Sequence, residues 1–567
     1  MRKAEIIISN SGKTLTKEEA DRMLRKKNCV IPDGYTKIGD SAFIKRKRML
    51  SIAIPDSVTS IGDYAFNGCK SLPNVEIPSS VTRIGRRTFF RCFSLACITV
   101  DEANPVYSSE NGVLFNIDKT TLIKYPELKA DETYVIPDSV TTIDERAFAF
   151  CSLLVSVVIP GSVKELSGAF YSCDALTSLT ISDGITSIGD MAFYGCKSMG
   201  NIRIPNGVTV IGRLAFAACQ SLTGITIPAT VTEIGDDAFD NCTGMTSVTM
   251  SEGVTSIGEG AFSKCESLVK VLLPDSVASI GARAFDGCES LESLAISNAV
   301  LADCEELFRG CQRLAEILVK DSNPSYSSRD GVLFSRDKTT LIRCPAGKTG
   351  AYAIPNSVIE IRSWAFLDCD LLEAVTIPDG VATIGDYAFG RGLRSIIIPA
   401  SVTDLSGVAF YTCFELTGIS VDKDNPNYSS ENGVLFDKGK TSLIRFPAGK
   451  AGPYTIPGSV TTVERSSFSA CESLTSVTIP ESVTTIGDNA FFYCISLKSI
   501  AIPNGVTRIG EDAFESCISL TSVAIPDSVT EIGAWAFADC RSLENVSIPS
   551  NVTKMGSGVF QDCRWLI

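Results

Sequence analysis

Cysteine is the residue type with the most chemical potential in this 567-residue chain, which has 21 of them and no histidine. A thiol can serve as nucleophile, metal ligand or half of a disulfide, but each role needs partners. Without histidine there is no Ser-His-Asp or Cys-His pair, no imidazole base and no imidazole ligand. Any catalysis would rest on carboxylates, Lys or Cys alone. Seventeen of the cysteines recur in a Phe-x-x-Cys pattern, Cys29, Cys97, Cys304 and Cys344 lie outside it, and no Cys-x-x-Cys occurs. Cysteines at one position of a repeat should stack about one strand spacing, ~5 Å, apart, which is within bridging distance. They should also all point inward in parallel, so nothing favours pairing. The expected state is a column of reduced thiols acting as small buried hydrophobes.

Two other stretches invite a ligand. Gly347-Lys348-Thr349 ends like a phosphate loop, but Ile342 stands where that loop needs its first glycine, and the sister segment reads Gly449-Lys450-Ala451. Both are expected to be turns. The segment from Asp101 to Asn111 is rich in oxygen donors, yet its spacing is not that of an EF-hand, and Asn-Pro and Asn-Gly are turn formers. Neither a metal nor a cofactor is expected.

Charge is the remaining feature. The net charge is −14, which disfavours general nucleic-acid binding. Residues 1–100 carry 18 Lys and Arg against nine Asp and Glu, a net of +9, leaving −23 on the remainder. The candidate binding patch is Arg22 and Lys26, then Lys45, Arg46, Lys47 and Arg48, then Arg83, Arg86, Arg87 and Arg91. Stacking should bring these to one outer face, either as a solvated cap or as a dock for an acidic protein, a polyanion or an anionic membrane surface.

What positions all these residues is a repeat of 23 residues, seen plainly from Cys471 to Tyr493 and again from Cys494 and Cys517. In Leu474-Thr-Ser-Val-Thr-Ile479 the apolar residues alternate, as in a half-buried strand, and Pro480 ends it. Val483 to Ile486 is a second short alternating piece. Gly487 then turns the chain, and Asp488 reads as the cap of a short helical turn carrying Phe491 and Cys494 inward. A unit this small cannot bury its own apolar face and must stack on its neighbours. The repeat Phe recurs nineteen times, mostly at 23-residue steps, with three long steps of 59, 58 and 58 residues after Phe89, Phe308 and Phe410. Each long step holds an Asn-Pro…Val-Leu-Phe motif followed by Leu-Ile (Asn104, Asn323 and Asn425 start them), read as a hairpin widening the sheet. Thr14 to Asn28 reads as an amphipathic helix with a Thr16/Glu19 capping box, closing the first coil.

The pattern I-P-x-S-V-T-x-I-G-x-x-A-F-x-x-C-x-S-L-T-S-V resembles the BspA-like leucine-rich repeats over almost all of residues 31–567. The resemblance implies a β-rich α/β repeat solenoid with a parallel sheet on one side and short helical or 3₁₀ turns on the other. The expected layout is a capping segment at 1–30 and one solenoid at 31–567, with inserted units near 100–136, 319–354 and 421–456. It also implies a non-enzymatic protein-interaction scaffold, in adhesion or at a cell surface. An intracellular scaffold is the alternative, since no signal peptide is legible and the thiols read as reduced; an enzyme is a distant third. The exposed strand positions are mostly Ser, Thr, Gly and Ala, a shallow surface with few of the anchors that dominate interfaces. No apolar run reaches the roughly 18 residues that span a bilayer. The last unit, with Ile548, Phe560 and Trp565, reads as an open edge, with the expectation that either the natural chain continues there or the protein self-associates through it.

Overall fold

The computed structural model describes residues 12–23, 27–301 and 306–564, with the backbone alone at Val300 and Leu301. The chain divides into two compact units, one of residues 1–289 with 298–303 and one of 290–297 with 304–567. Lys26 and Trp565 lie outside the described residues.

In the first unit, Ser247–Met250 shows how the repeat makes a coil. It pairs in parallel with Gly224–Ile227 on one side and Lys270–Leu272 on the other. Val248 and Met250 are buried while Ser247 and Thr249 are exposed, as period-2 alternation requires. The second alternating piece forms a ladder of its own: Ser256–Ile257 lies between Glu233–Ile234 and Ser279–Ile280. Along it Thr hydroxyls donate to the backbone carbonyl one coil back, as from Thr255 to Thr232 at 2.9 Å.

The third side differs from the helical turn expected of it. Around Phe239 the chain makes separate three-residue turns, broken by left-handed residues at Asp237 (φ 53°) and Asn241 (φ 57°). Asp237, Phe239 and Asn241 donate their N–H groups to the next coil, at Glu259, Ala261 and Ser263, over 2.7, 2.8 and 2.8 Å. A helix would direct those donors along its own axis. Here they run between coils, so all three sides are tied by backbone hydrogen bonds across the stack. The Asp after Ile-Gly likewise serves the next coil and not a local cap: Asp236 Oδ1 accepts from the Glu259 amide at 2.9 Å. The Gly of Ile-Gly is needed for closeness and not for turning, since a Cβ on Gly487 would stand 2.7 Å from the Arg465 nitrogen.

The inward face is a column of rings. Phe216, Phe239 and Phe262 stack at 5.2 Å intervals with planes within 3°. In the second unit Phe468, Phe491, Phe514, Phe537 and Phe560 continue the same arrangement at 4.7 to 5.7 Å. Beside the rings, most repeat thiols donate to the carbonyl of the Phe one coil back, as Cys242 does to Phe216 at 3.1 Å and Cys517 to Phe491 at 3.2 Å. The cysteine therefore fills a small apolar slot and satisfies a buried carbonyl in one side chain.

At the first and third long steps an aromatic residue of the insert joins the ring column on its following side. Tyr125 stacks on Phe148 at 5.0 Å, and Phe446 on Phe468 at 5.1 Å, so residues of the inserts take the place of the missing Phe. Cys344 holds the corresponding backbone position in the second insert, its N–H donating to Ala365 as that of Tyr125 does to Ala147. Within each insert three strands run antiparallel (107–110, 113–116 and 121–124 in the first), and the last lies parallel to a strand of the second ladder, Thr142–Ile143. Asn104 is buried with its carboxamide fully occupied, donating to Pro78 and Val81 and accepting from Val106 and Tyr107. That accounts for the Asn of Asn-Pro without a metal.

The helix near the N-terminus is shorter than the sequence suggested, spanning Lys17–Met23 (α1). Its capping box is present, Glu19 Oε2 accepting from Thr16 N at 3.1 Å and Thr16 Oγ1 from Glu19 N at 3.3 Å. Lys13–Leu15 before it is a strand paired in parallel with Tyr35–Ile38, so the second ladder begins ahead of Ile31.

Candidate functional site

The outer sheet is as plain as its sequence: Ser178, Thr180, Ser499 and Ala501 are exposed, with Arg203, Lys270, Glu76 and Glu316 scattered among small residues. Of the twenty described thiols, all but Cys97 and Cys563 are buried. Burial pushes Cys69 and Cys242 up to about 12, far from the low values of reactive cysteines. Among the described residues no group of three or more Cys, Asp or Glu is placed to hold a metal ion. Gly347-Lys348-Thr349 belongs to a turn whose Lys348 ammonium donates to the Asp330 carbonyl.

The basic residues of the first unit are divided by the fold. Lys45, Gly68 and Arg91 share one column on the turn side, because Lys45 N donates to Asn67 O and Gly68 N to Phe90 O. Lys47 and Arg48 are exposed beside them. Arg46 is not part of this surface: it stands where later coils have Cys, half-buried and paired with Asp21 of α1. Arg22 is exposed in the last turn of α1. Arg83 lies in the second ladder, opposite Ser60. Arg86 follows it, its N–H held by Asp63 Oδ1 at 2.9 Å, and Arg87 is paired with Glu145.

What the charge count misses is a row of extra aromatic rings among these cations. Phe150 touches Phe90 at 5.4 Å, Phe93 at 5.5 Å and Tyr171 at 5.6 Å, and Tyr171 stacks on Tyr194 at 4.9 Å. Lys70 Nζ lies 4.9 Å from the Phe93 ring, Arg91 lies 5.5 Å from Phe90, and Arg146 lies 3.8 Å from Tyr171. These are cation–π distances. The signal in the sequence is a second aromatic beside the repeat Phe, in Phe89-Phe90-Arg-Cys-Phe93, Phe148-Ala-Phe150 and Phe170-Tyr171.

Beside this row, at the junction of the first insert, is a cleft of about 270 Å³. Arg86, Arg87, Lys124 and Arg146 line it together with Asp144 and Glu145, and Phe89, Phe90 and Ile123 form apolar wall. Burial lowers the pKa of Arg146, with Glu145 opposing. Burial also acts downward on Arg87, but the Glu145 carboxylate outweighs it and the net shift is upward. Lys124 is buried and pairs with Glu127 at 3.4 Å. Burial raises the carboxyl pKa of Glu127, with Lys124 opposing, and Glu127 Oε1 also accepts from the Arg91 amide at 2.8 Å.

The other two inserts solve the same junction differently. Arg343 and Arg445 take the place of Lys124, each fully buried, with Nη1 donating at 2.6 Å to the carbonyls of Trp364 and Ser466. In the second insert the carboxylate comes from the following coil, where Asp368 Oδ2 accepts from the Gly310 amide and lies 3.4 Å from Arg343. In the third, Ala448 stands where the first has Glu127.

Parallel ladders of a short repeat around a column of Phe and Leu are the architecture of leucine-rich repeats, a class whose stacked coils serve as scaffolds for protein interaction. A family model described as "BspA type Leucine rich repeat region (6 copies)" matches residues 23–131, 128–246, 232–329, 348–448 and 450–567, and the chain belongs to that family. Among solved structures it is similar to a leucine rich cell surface protein from Faecalibacterium prausnitzii, with 28% identity over 82% of this chain and 94% of that one and a TM-score of 0.40. It is also similar to leucine-rich repeat proteins from Bacteroides ovatus (27% identity, 81% and 90% covered, TM-score 0.27) and Eubacterium ventriosum (24%, 56% and 82%, TM-score 0.30). No curated protein matches. No helix among the described residues is long and apolar enough to cross a membrane.

Proposed function

We propose that this chain is a non-enzymatic protein-interaction scaffold that works in adhesion or binding at a cell surface. The observation that carries the reading is the row of part-exposed rings from Phe93 through Phe150 and Tyr171 to Tyr194, set among Lys70, Arg91 and Arg146. Aromatic rings and arginines on one face are the composition of interface hot spots, and among the described residues no comparable set stands on the Ser/Thr-rich sheet. Membership of a repeat family built for interaction supports the same reading.

The test is retention of named extracellular-matrix proteins on the immobilised chain, beside a lysate of the producing cell. The wild type should retain at least one matrix protein, and Phe93→Ser with Arg91→Ser should lose it. Retention from the lysate alone would favour the intracellular scaffold and overturn the adhesion reading.

A further inference from the structure

We infer that the cleft at the first insert is a carboxylate-binding site that docks an Asp- or Glu-bearing segment of a partner protein. This rests on the protein-interaction reading above and names the partner chemistry. Arg146 is the starting point. Its side chain is only 12% exposed, yet Nε and Nη1 are buried without a hydrogen-bond partner. Nη2 faces the Met191 sulfur at 3.4 Å, a weak acceptor. Glu145 Oε1 lies 3.4 Å from Arg146 Nε, within ion-pair distance but not aligned as a hydrogen bond, and the same oxygen is already engaged by Arg87. Two guanidiniums thus share one carboxylate oxygen, although each can receive a carboxylate through two parallel N–H bonds.

The charge around the cleft calls for one more anion. Lys124 is matched by buried Glu127, which leaves Arg86, Arg87 and Arg146 against Asp144 and Glu145. The excess is a single positive charge, which suits a carboxylate better than a doubly charged phosphate. The other inserts show how the site arises. Arg343 and Arg445 use their own guanidiniums on the carbonyl aligned with that of Arg146, whereas Lys124 turns to Glu127. The residues aligned with Arg146 there are Trp364 and Ser466, so only the first insert presents these donors. Phe90, part of the apolar wall, continues into Phe93 and Phe150, a surface against which the flanks of an extended segment can lie.

The probe is fluorescein-labelled decaglutamate, read by anisotropy on the full chain at 50 mM NaCl, with labelled decaglutamine as the uncharged control. Wild type should bind decaglutamate saturably and at least tenfold more tightly than decaglutamine, weakening steeply by 300 mM salt because exposed charges are screened. Arg146→Gln should weaken binding about tenfold or more. Because Arg146 is largely buried, a second variant guards against misfolding: Arg87→Gln changes the more exposed of the two guanidiniums that share Glu145 and should weaken binding likewise. Arg508→Ser in the second unit should have no effect. Equal binding by wild type and the two cleft variants, or tighter binding of heparin or phosphatidylserine vesicles than of decaglutamate, would overturn the inference. If matrix retention survives while decaglutamate does not bind, the carboxylate site falls and the scaffold reading stands. If decaglutamate binds to the cleft and no matrix protein is retained, the site stands and the adhesion reading falls.

Discussion

Glu127→Ala is a substitution that the chain itself carries at two of its three inserts, as Ala346 and Ala448, yet it should be damaging at the first. Lys124 is 7% exposed and Glu127 not at all, at 3.4 Å. Removing one member of a buried pair costs about 3–5 kcal/mol, because the remaining charge is left in a poor solvent. The lower end, about 3 kcal/mol, is expected here, since burial already raises the Glu127 carboxyl and so reduces the net worth of its charge. Adding Lys124→Arg should recover all but about 1 kcal/mol, because an arginine can then donate to the Arg146 carbonyl as Arg445 does to that of Ser466. A long repeat array need not unfold in one step, so the assay is local: amide exchange at Tyr125 and Phe148, whose N–H groups bond to the next coil. A loss of about 3 kcal/mol is roughly a 150-fold drop in protection, at about 1.4 kcal/mol per factor of ten. Unchanged protection in the single variant, or no recovery in the double, would refute the account of the junction as a charge-matched site.

Phe239→Ala, in the middle of the ring column, should cost about 3–5 kcal/mol, whereas exposed Ser247→Ala should stay within about 0.5 kcal/mol; equal denaturant midpoints would contradict the inward column. Thiol titration at pH 8 should find the native protein nearly unreactive and the denatured protein with almost all 21 thiols free, because burial holds Cys69, Cys242 and Cys517 up at about 12; a majority oxidised in fresh protein would contradict it. Glu515 is pushed up to about 7 from an ordinary 4.5, first by burial, then by its hydrogen bond to and the charge of Asp512, and by Asp539. A carboxyl raised in the folded state binds its proton more readily there than when unfolded, so its contribution falls as pH rises from 4.5 through 7. Glu515→Gln should therefore raise the melting temperature at pH 8 and leave it unchanged at pH 4; a gain at both would point to packing instead.

The repeat, its inward Phe and Cys and its strand alternation were legible in the sequence, because each depends on the type and spacing of residues within one unit. Val248 and Met250 alternate with Ser247 and Thr249 whatever lies next to them. The capping box of α1 was legible for the same reason, Thr16 and Glu19 being three residues apart. The turn side was not. Asp237 and Asn241 do not announce a left-handed backbone, and what makes that conformation worthwhile is a set of acceptors on the following coil. The site shows the same division. Composition grouped the cations, but position in the coil separates Arg46, tied to Asp21, and Arg83, on the second ladder, from Lys45 and Arg91. Arg146 has no such signal, since a lone arginine carries none in its local sequence. Its importance comes from Tyr171 one coil away, Arg87 across the insert, and a lysine too short to do what an arginine does at the other two inserts. Contacts between residues 21 to 58 positions apart set donors against acceptors, and those pairings exist only once the coils are stacked.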